Sequence, residues 1–317
     1  MQPNPDTLAA VAHGGDLHEQ LVDAANQVYG AHEGRRALHS KGFFCEGTFR
    51  PSSEAANLTR AAHLQGDPVP VLMRFSVAGG NPDVHDGERE PRGMAVRFRA
   101  DGAETDLLCV SSPVFVTRTP EDFLELLRLR VPDPDTGQPD MEALGEFLQR
   151  HPESMAAVQA TLGTPPPASY AQLAYNSIHA FRLVDSEGGG TWIRYRWVPE
   201  AGEAHIDDDE QAQSRDADYM QADLAQRLAD RPVAFELTLV LAEDGDPLDD
   251  PTVAWPDERR RVGAGRLEVE RVVDDPERDG GVVVFDPTRV IDGIELPDDP
   301  ILHARPHAYS VSVDRRG

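Results

Sequence analysis

Apolar and polar positions repeat with two different periods along this chain, and the switches between them mark its elements. DLHEQLVDAANQVYG spaces its apolar residues at helical intervals and ends at Gly30, a suitable C-cap. ALHSKGFFCEGTFRP, rich in Phe and Gly, reads as extended. PVPVLMRFSVAGG reads as a strand, and GMAVRFRADGAETDLLCV as two, turning at Asp101-Gly102. TPEDFLELLRLRV opens a helix, with Thr119 as cap, Pro120 first and acidic residues next. DMEALGEFLQRHPESMAAVQATLG continues as helix. HAFRLVDSEGGGTWIRYRWV reads as a hairpin around a glycine-rich turn, and ADYMQADLAQRLADR as a helix. PVAFELTLVLAEDGDP alternates Val233, Phe235, Leu237, Leu239 and Leu241 with other residues, as a half-buried strand does; GRLEVERVV and GGVVVFDP add two more.

Antiparallel-type strands with helices inserted between them predict an α+β fold around a β-barrel or strongly curved sheet. Residues 1–15 read as a loose arm and 16–317 as a single domain without internal repeats. The Asp/Pro-rich stretch 243–259 reads as a surface connection. Asp207-Asp208-Asp209 lacks the spacing and glycine of a calcium loop and reads as solvated.

Composition narrows the function. The 317 residues carry a formal net charge of −26, which repels nucleic acid and anionic membranes but not a small neutral substrate. Lys41 is the only lysine; every other basic residue is arginine. Cys45 and Cys109 form no C-x-x-C and no disulfide framework. The N-terminus lacks a basic start followed by an apolar stretch, and no apolar run approaches a membrane span. These features predict a soluble, cytoplasmic protein with no membrane insertion.

Four stretches hold candidate chemistry. In RRALHSKGFF, a buried His39 stays neutral and can take and return a proton; taken alone it reads first as a structural histidine. In VLMRFSVAGG, Leu72, Arg74 and Ser76 point to one side of a strand. A buried Arg74 then needs an anion, and 56 acidic residues make an internal Asp or Glu the first candidate. Phe115 and Phe123 are core aromatics or the walls of a slot for a flat ligand. In HARPHAYSVSVDRR, Arg305 and Tyr309 share a helical face one turn apart. They are either a surface cation stacked on a ring, or a metal-binding tyrosine whose phenolate an adjacent guanidinium favours.

RRALHSKG, VLMRFSVAGG, EPRGMAVRF, the TDLL…SPVFVTRTPEDF block, FDPTRVIDGIELPDDPIL and HARPHAYSVSVDRR, in that order, resemble segments of the haem catalases. The likeness runs from about residue 20 to the end and is nearer to their short branch, the catalase-related peroxidases. It implies a catalase-like barrel holding haem b. It casts His39 as the distal catalytic histidine, supported by Ser76. Tyr309 becomes the axial iron ligand and Arg305 the guanidinium that keeps it ionised. Arg36, Arg74 and Arg316 become partners of the haem propionates, Phe123 a ring packed on the haem, and Leu38 and Phe115 walls of the access route.

Two departures qualify the resemblance. Full-length catalases have two asparagines where this chain has Val110 and Ser111. A valine cannot hydrogen-bond peroxide, and losing one such donor is worth about 1–3 kcal/mol, roughly ten- to a hundredfold in rate. The chain also lacks the long N-terminal arm and C-terminal extensions of large catalases, which predicts a more open haem pocket. The resemblance with its departures implies a peroxidase acting on hydrogen peroxide or organic hydroperoxides, with an organic electron donor and weak catalase activity. The alternatives are a true catalase, a fatty acyl hydroperoxide isomerase and a non-enzymatic haem-binding protein. A homo-oligomer is expected, with a dimer favoured.

Overall fold

The computed structural model describes residues 15–316; the expected arm lies, apart from Gly15, outside them. Asp16 accepts from the backbone N–H groups of His18 and Glu19, and Glu19 reaches back to the Asp16 N–H. This capping box starts α1 (Leu17–Tyr29), which ends at Gly30 with φ +88°. The strands that follow are β1 (Gly42–Pro51), β2 (Val69–Val77), β3 (Arg92–Ala100) and β4 (Ala103–Val110), with the short α2 (Ser53–Ala56) after β1. Asp101 and Gly102 both take positive φ, 51° and 76°, as a tight two-residue hairpin turn requires. Three helices come next, α3 (Pro120–Leu129), α4 (Met141–Arg150) and α5 (Ser154–Gly163).

The chain then adds β5 (Tyr175–Asn176), β6 (Phe181–Val184) and β7 (Gly190–Pro199), followed by α6 (Asp209–Gln213) and α7 (Tyr219–Asp230). It closes with β8 (Val233–Leu241), β9 (Arg261–Val273), β10 (Ile294–Glu295) and α8 (Pro300–Asp314). Neighbouring strands run in the order β7-β5-β4-β3-β2-β1-β9-β8, and β8 pairs again with β7. The result is a closed eight-stranded antiparallel barrel, with β6 and β10 attached outside the ring.

The barrel is filled, not hollow. Phe49 meets Phe98 edge-on at 5.1 Å and Trp197 at 6.0 Å, and none of the three rings is more than 1 % exposed. Met73, Phe75, Phe235 and Leu237 extend this interior. A second cluster forms outside the barrel, where Leu21, Ala24 and Ala25 of α1 pack on Leu124 and Leu127 of α3.

Two sequence expectations need correction. The helical run after Asp140 is two helices, because Pro152 bars its predecessor from helical geometry and His151 sits at ψ 67°. GGVVVFDP is not a strand. Both edges of β9, the strand it follows, are already taken, by β1 and β8. Its carbonyls accept from arginines instead, Val283 from Arg36 at 2.9 Å and Val284 from Arg289 at 3.2 Å. Stretch 243–259 is a connection held by Arg259 on Asp246 (2.8 Å) and by Trp255, packed 4.7 Å below Arg194. Asp208 caps α6, and Asp209 pairs with Arg89 at 2.9 Å. Among the described residues no helix is long and apolar enough to cross a membrane.

Phe49→Ala is expected to destabilise the fold by about 3–5 kcal/mol, because the closed ring cannot collapse onto the space left. Chemical denaturation of the native and substituted chains measures it; a loss below about 1 kcal/mol would show that the barrel interior can relax.

Candidate active site

Strand register builds one wall of a cavity outside the barrel. Gly42 pairs with Ser76, Ser76 with Gly93 and Gly93 with Val110, a rung across four strands. Two residues along, Phe44 pairs with Arg74, Arg74 with Ala95 and Ala95 with Leu108. Positions two apart share a face, so both rungs look the same way. Gly93 and Ala95 keep the centre of this wall low. A Cβ on Gly93 would lie 2.7 Å from the Ser76 oxygen and 3.0 Å from the His39 ring, so only glycine leaves the imidazole its place.

His39 sits just before β1 with φ +54°, a left-handed conformation that non-glycine residues seldom hold without a structural demand. Its N–H donates to the Ala78 carbonyl at 3.0 Å, which ties the turn to the end of β2. Its Nδ1 lies 2.9 Å from the Ser76 hydroxyl. Burial pushes this imidazole down to about 3, helped by the positive charges of Arg74, Arg305 and Arg36. The ring is therefore neutral at ordinary pH.

α8 supplies the facing chemistry. Arg305 Nε donates to the Tyr309 oxygen at 2.8 Å, and its Nη1 donates to His179 Nε2 at 2.9 Å. With Nε2 accepting, His179 Nδ1 carries the proton and donates to Asp299 at 2.6 Å. Asp299 also caps α8, its other oxygen accepting from the N–H groups of Ile301 and Leu302. One carboxylate thus anchors both the start of the helix and a chain of three hydrogen bonds ending on Tyr309. Burial lowers His179, and Asp299 opposes part of that shift.

The cavity between these elements holds about 1480 Å³ of atom-free space, its solvent mouth included. All ten residues proposed from sequence line it: Arg36, Leu38, His39, Arg74, Ser76, Phe115, Phe123, Arg305, Tyr309 and Arg316. Phe115 and Phe123 meet at 5.1 Å, which turns two separated aromatics into one apolar surface. Val110 lines the cavity as well. The Ser111 hydroxyl accepts from the Arg92 N–H at 2.9 Å. Cys109 also reaches the lining; it and Cys45 are free thiols, both buried.

A cofactor with carboxylate groups fits these residues. Among the described residues Arg74 has no acidic partner: Nη2 donates to the Ser40 carbonyl at 3.1 Å, while Nε is buried and unpartnered. Burial, with repulsion from Arg36, pushes Arg74 down to about 9. Arg316 Nε is likewise buried without a partner. Buried guanidinium donors in this condition call for an anion, and the apolar walls suit a flat ring system. The internal acid expected for Arg74 is found instead on its neighbours, since Glu277 binds both Arg36 and Arg316.

Sequence reasoning missed His179, Asp299, Gly93 and Glu277. Asp299 is legible as a cap, standing before Pro300 at the start of α8. The other three acquire their roles only from strand pairing and loop packing.

Comparison with known proteins agrees with this geometry. The sequence profile described as Catalase matches residues 18–316. A catalase-related peroxidase of Mycolicibacterium paratuberculosis is 38% identical, over 96% of both chains. Another, of Synechococcus elongatus, is 33% identical over 95% of this chain and 89% of its own. Catalase-2 of Bacillus subtilis is 27% identical over 96% of this chain but only 47% of its own length. A bacterial catalase structure superposes with a TM-score of 0.80 over 90% of this chain and 58% of its own, at 21% identity. A fungal catalase gives 0.78 over 90% and 60%, also at 21%. The profile spans the barrel, the cavity and α8 together, and the chain belongs to the catalase family.

Proposed function

We propose that the protein is a haem b peroxidase that reduces hydrogen peroxide or an organic hydroperoxide with an organic electron donor, and has weak catalase activity. One observation carries the proposal. A single cavity brings together a buried neutral histidine, a tyrosine bonded to a guanidinium, and arginines with unsatisfied donors. The two relatives named catalase-related peroxidase support the same reading. It includes a single haem-binding domain over 16–317, assembled as a homodimer in the cytoplasm.

Haem, when bound, would supply the iron that cleaves the peroxide oxygen–oxygen bond and is then re-reduced by electrons from the donor. Tyr309 is the residue to hold that iron from the α8 side, and the Arg305 N–H stabilises negative charge on its oxygen. His179 and Asp299 fix the direction in which Arg305 donates. Arg36, Arg74 and Arg316 would hold the propionates. Phe123 and Phe115 line the apolar walls, and Leu38 lies on the approach.

His39 moves the proton. Its Nδ1 is engaged by Ser76, and Nε2 has no partner among the described residues. With Nδ1–H donating to the Ser76 oxygen, Nε2 takes a proton from one peroxide oxygen and returns it to the leaving oxygen. The neutral imidazole is the competent form, and burial secures it. Oxidising a second peroxide molecule needs that molecule held in place. Val110 offers it no hydrogen bond, and Ser111 is not among the residues that line the cavity. Electron transfer from an organic donor makes no such demand.

Full-length protein mixed with haem is expected to develop a Soret band that Tyr309→Phe alters or abolishes; no band in the native protein would sink the proposal. His39→Ala should keep the band and slow the reaction with peroxide by roughly 10²–10⁴-fold, the usual weight of one positioned acid–base group. Stopped-flow absorbance measures this, and undiminished turnover removes His39 from its role. The pH profile has a definite sign. A histidine held near 3 takes no proton between pH 8 and 5, so His39 imposes no loss of rate there, and loss begins only as pH falls toward 3. Over the same range the unfolded chain protonates this histidine near 6.5, so its contribution to stability falls steadily below that pH. Val110→Asn should raise oxygen release about ten- to a hundredfold, read with an oxygen electrode, with less effect on dye oxidation. Unchanged oxygen release would show that Val110 does not limit catalase activity.

A further inference from the structure

The three arginines proposed for the propionates do not share one kind of partner. Among the described residues Arg74 hydrogen-bonds only to a backbone carbonyl. Arg36 and Arg316 close on the two oxygens of one carboxylate, Arg36 Nη1 on Glu277 Oε2 at 2.6 Å and Arg316 Nη1 on Glu277 Oε1 at 3.0 Å. Glu277 is as sheltered as they are, its side chain 13% exposed against 16% and 13%. Its position is built. The Val283 N–H donates to the same Oε1 at 3.0 Å, and the Glu277 N–H donates to Asp275 at 2.9 Å. The loop between β9 and Phe285 is thereby folded to turn this carboxylate toward the arginines. The loop's Val283 carbonyl also takes the second arm of Arg36.

We propose that Glu277 is a specificity-determining residue for the cofactor: a protein carboxylate that competes with the ligand's carboxylates for Arg36 and Arg316. The proposal rests on the haem reading above. Two carboxylates cannot both take the strongest donors of one guanidinium. Each hydrogen bond that Glu277 holds is one that a propionate must share or displace. Arg74 and the Arg316 Nε are the donors left uncontested. Glu277 then weakens binding of any ligand that depends on these two arginines, and leaves a ligand without free carboxylates unaffected.

The test is a Soret titration of haem-free, full-length protein with haem b and with its dimethyl ester, for the native chain and Glu277→Gln. The glutamine keeps the shape and removes the charge. Expected is about tenfold tighter binding of the free acid, the weight of one charged hydrogen bond, and no change for the ester. Unchanged or weaker binding of the free acid, or an equal gain for the ester, overturns the proposal. A second measurement does not involve haem. Glu277→Ala should melt at a lower temperature than the native protein, and millimolar sodium propionate should recover part of that loss while leaving the native protein unmoved. No recovery overturns the assignment of these arginines as a site for exchangeable carboxylates. Recovery by propionate with no porphyrin bound by the native protein overturns the haem reading, and the competition with it. Porphyrin binding with no gain in Glu277→Gln overturns the role of Glu277 alone.

Discussion

Because β8 pairs with both β9 and β7, the ring has no open edge, and each strand turns one face into the packed interior and the other outward. Phe75 and Met73 of β2 point into the packed interior, while Leu72, Arg74 and Ser76 of the same strand point out, yet every one of these is buried. The outer face can be buried only if α1, α3 and α8 stand against it at some distance, and the cavity is the space they leave. The closed barrel is thus a rigid back wall. Its register, not any single motif, decides which side chains face the cavity.

That wall explains why some of the molecule was legible in sequence and some was not. α1 and α3 declare themselves through caps, Asp16 with Glu19 and Thr119 with Pro120, because capping is chemistry between residues a few positions apart. The strands show as alternation, and Asp101-Gly102 as a turn, for the same local reason. GGVVVFDP misleads because its composition suits a strand, yet both edges of β9, the strand it follows, are already taken. Gly93 looks like any glycine until register sets it against Ser76.

The site divides along the same line. Arg305 and Tyr309 are four residues apart on one helix, so their contact could be expected from spacing alone. His179 and Asp299 lie 120 residues apart in the chain, and nothing around either one announces the other. Glu277 is one among 56 acidic residues, distinguished only by a loop that turns it inward. The resemblance to catalases located His39, Ser76 and the arginines along the chain, and the barrel with its covering helices brings them to one cavity.

Cys109 shows what this environment does to chemistry other than that of the cofactor. Cys109 stands between Leu108 and Val110, which face the cavity where peroxide is proposed to enter, but its own side chain joins the barrel core, and burial pushes the thiol far above its ordinary range, against the pull of Arg305. Cys45, inside the barrel, is pushed up to about 12. Peroxide oxidises thiolate and scarcely touches thiol. Both sulfurs are therefore kept as thiols, the form that peroxide attacks slowly, by the same packing that shapes the site.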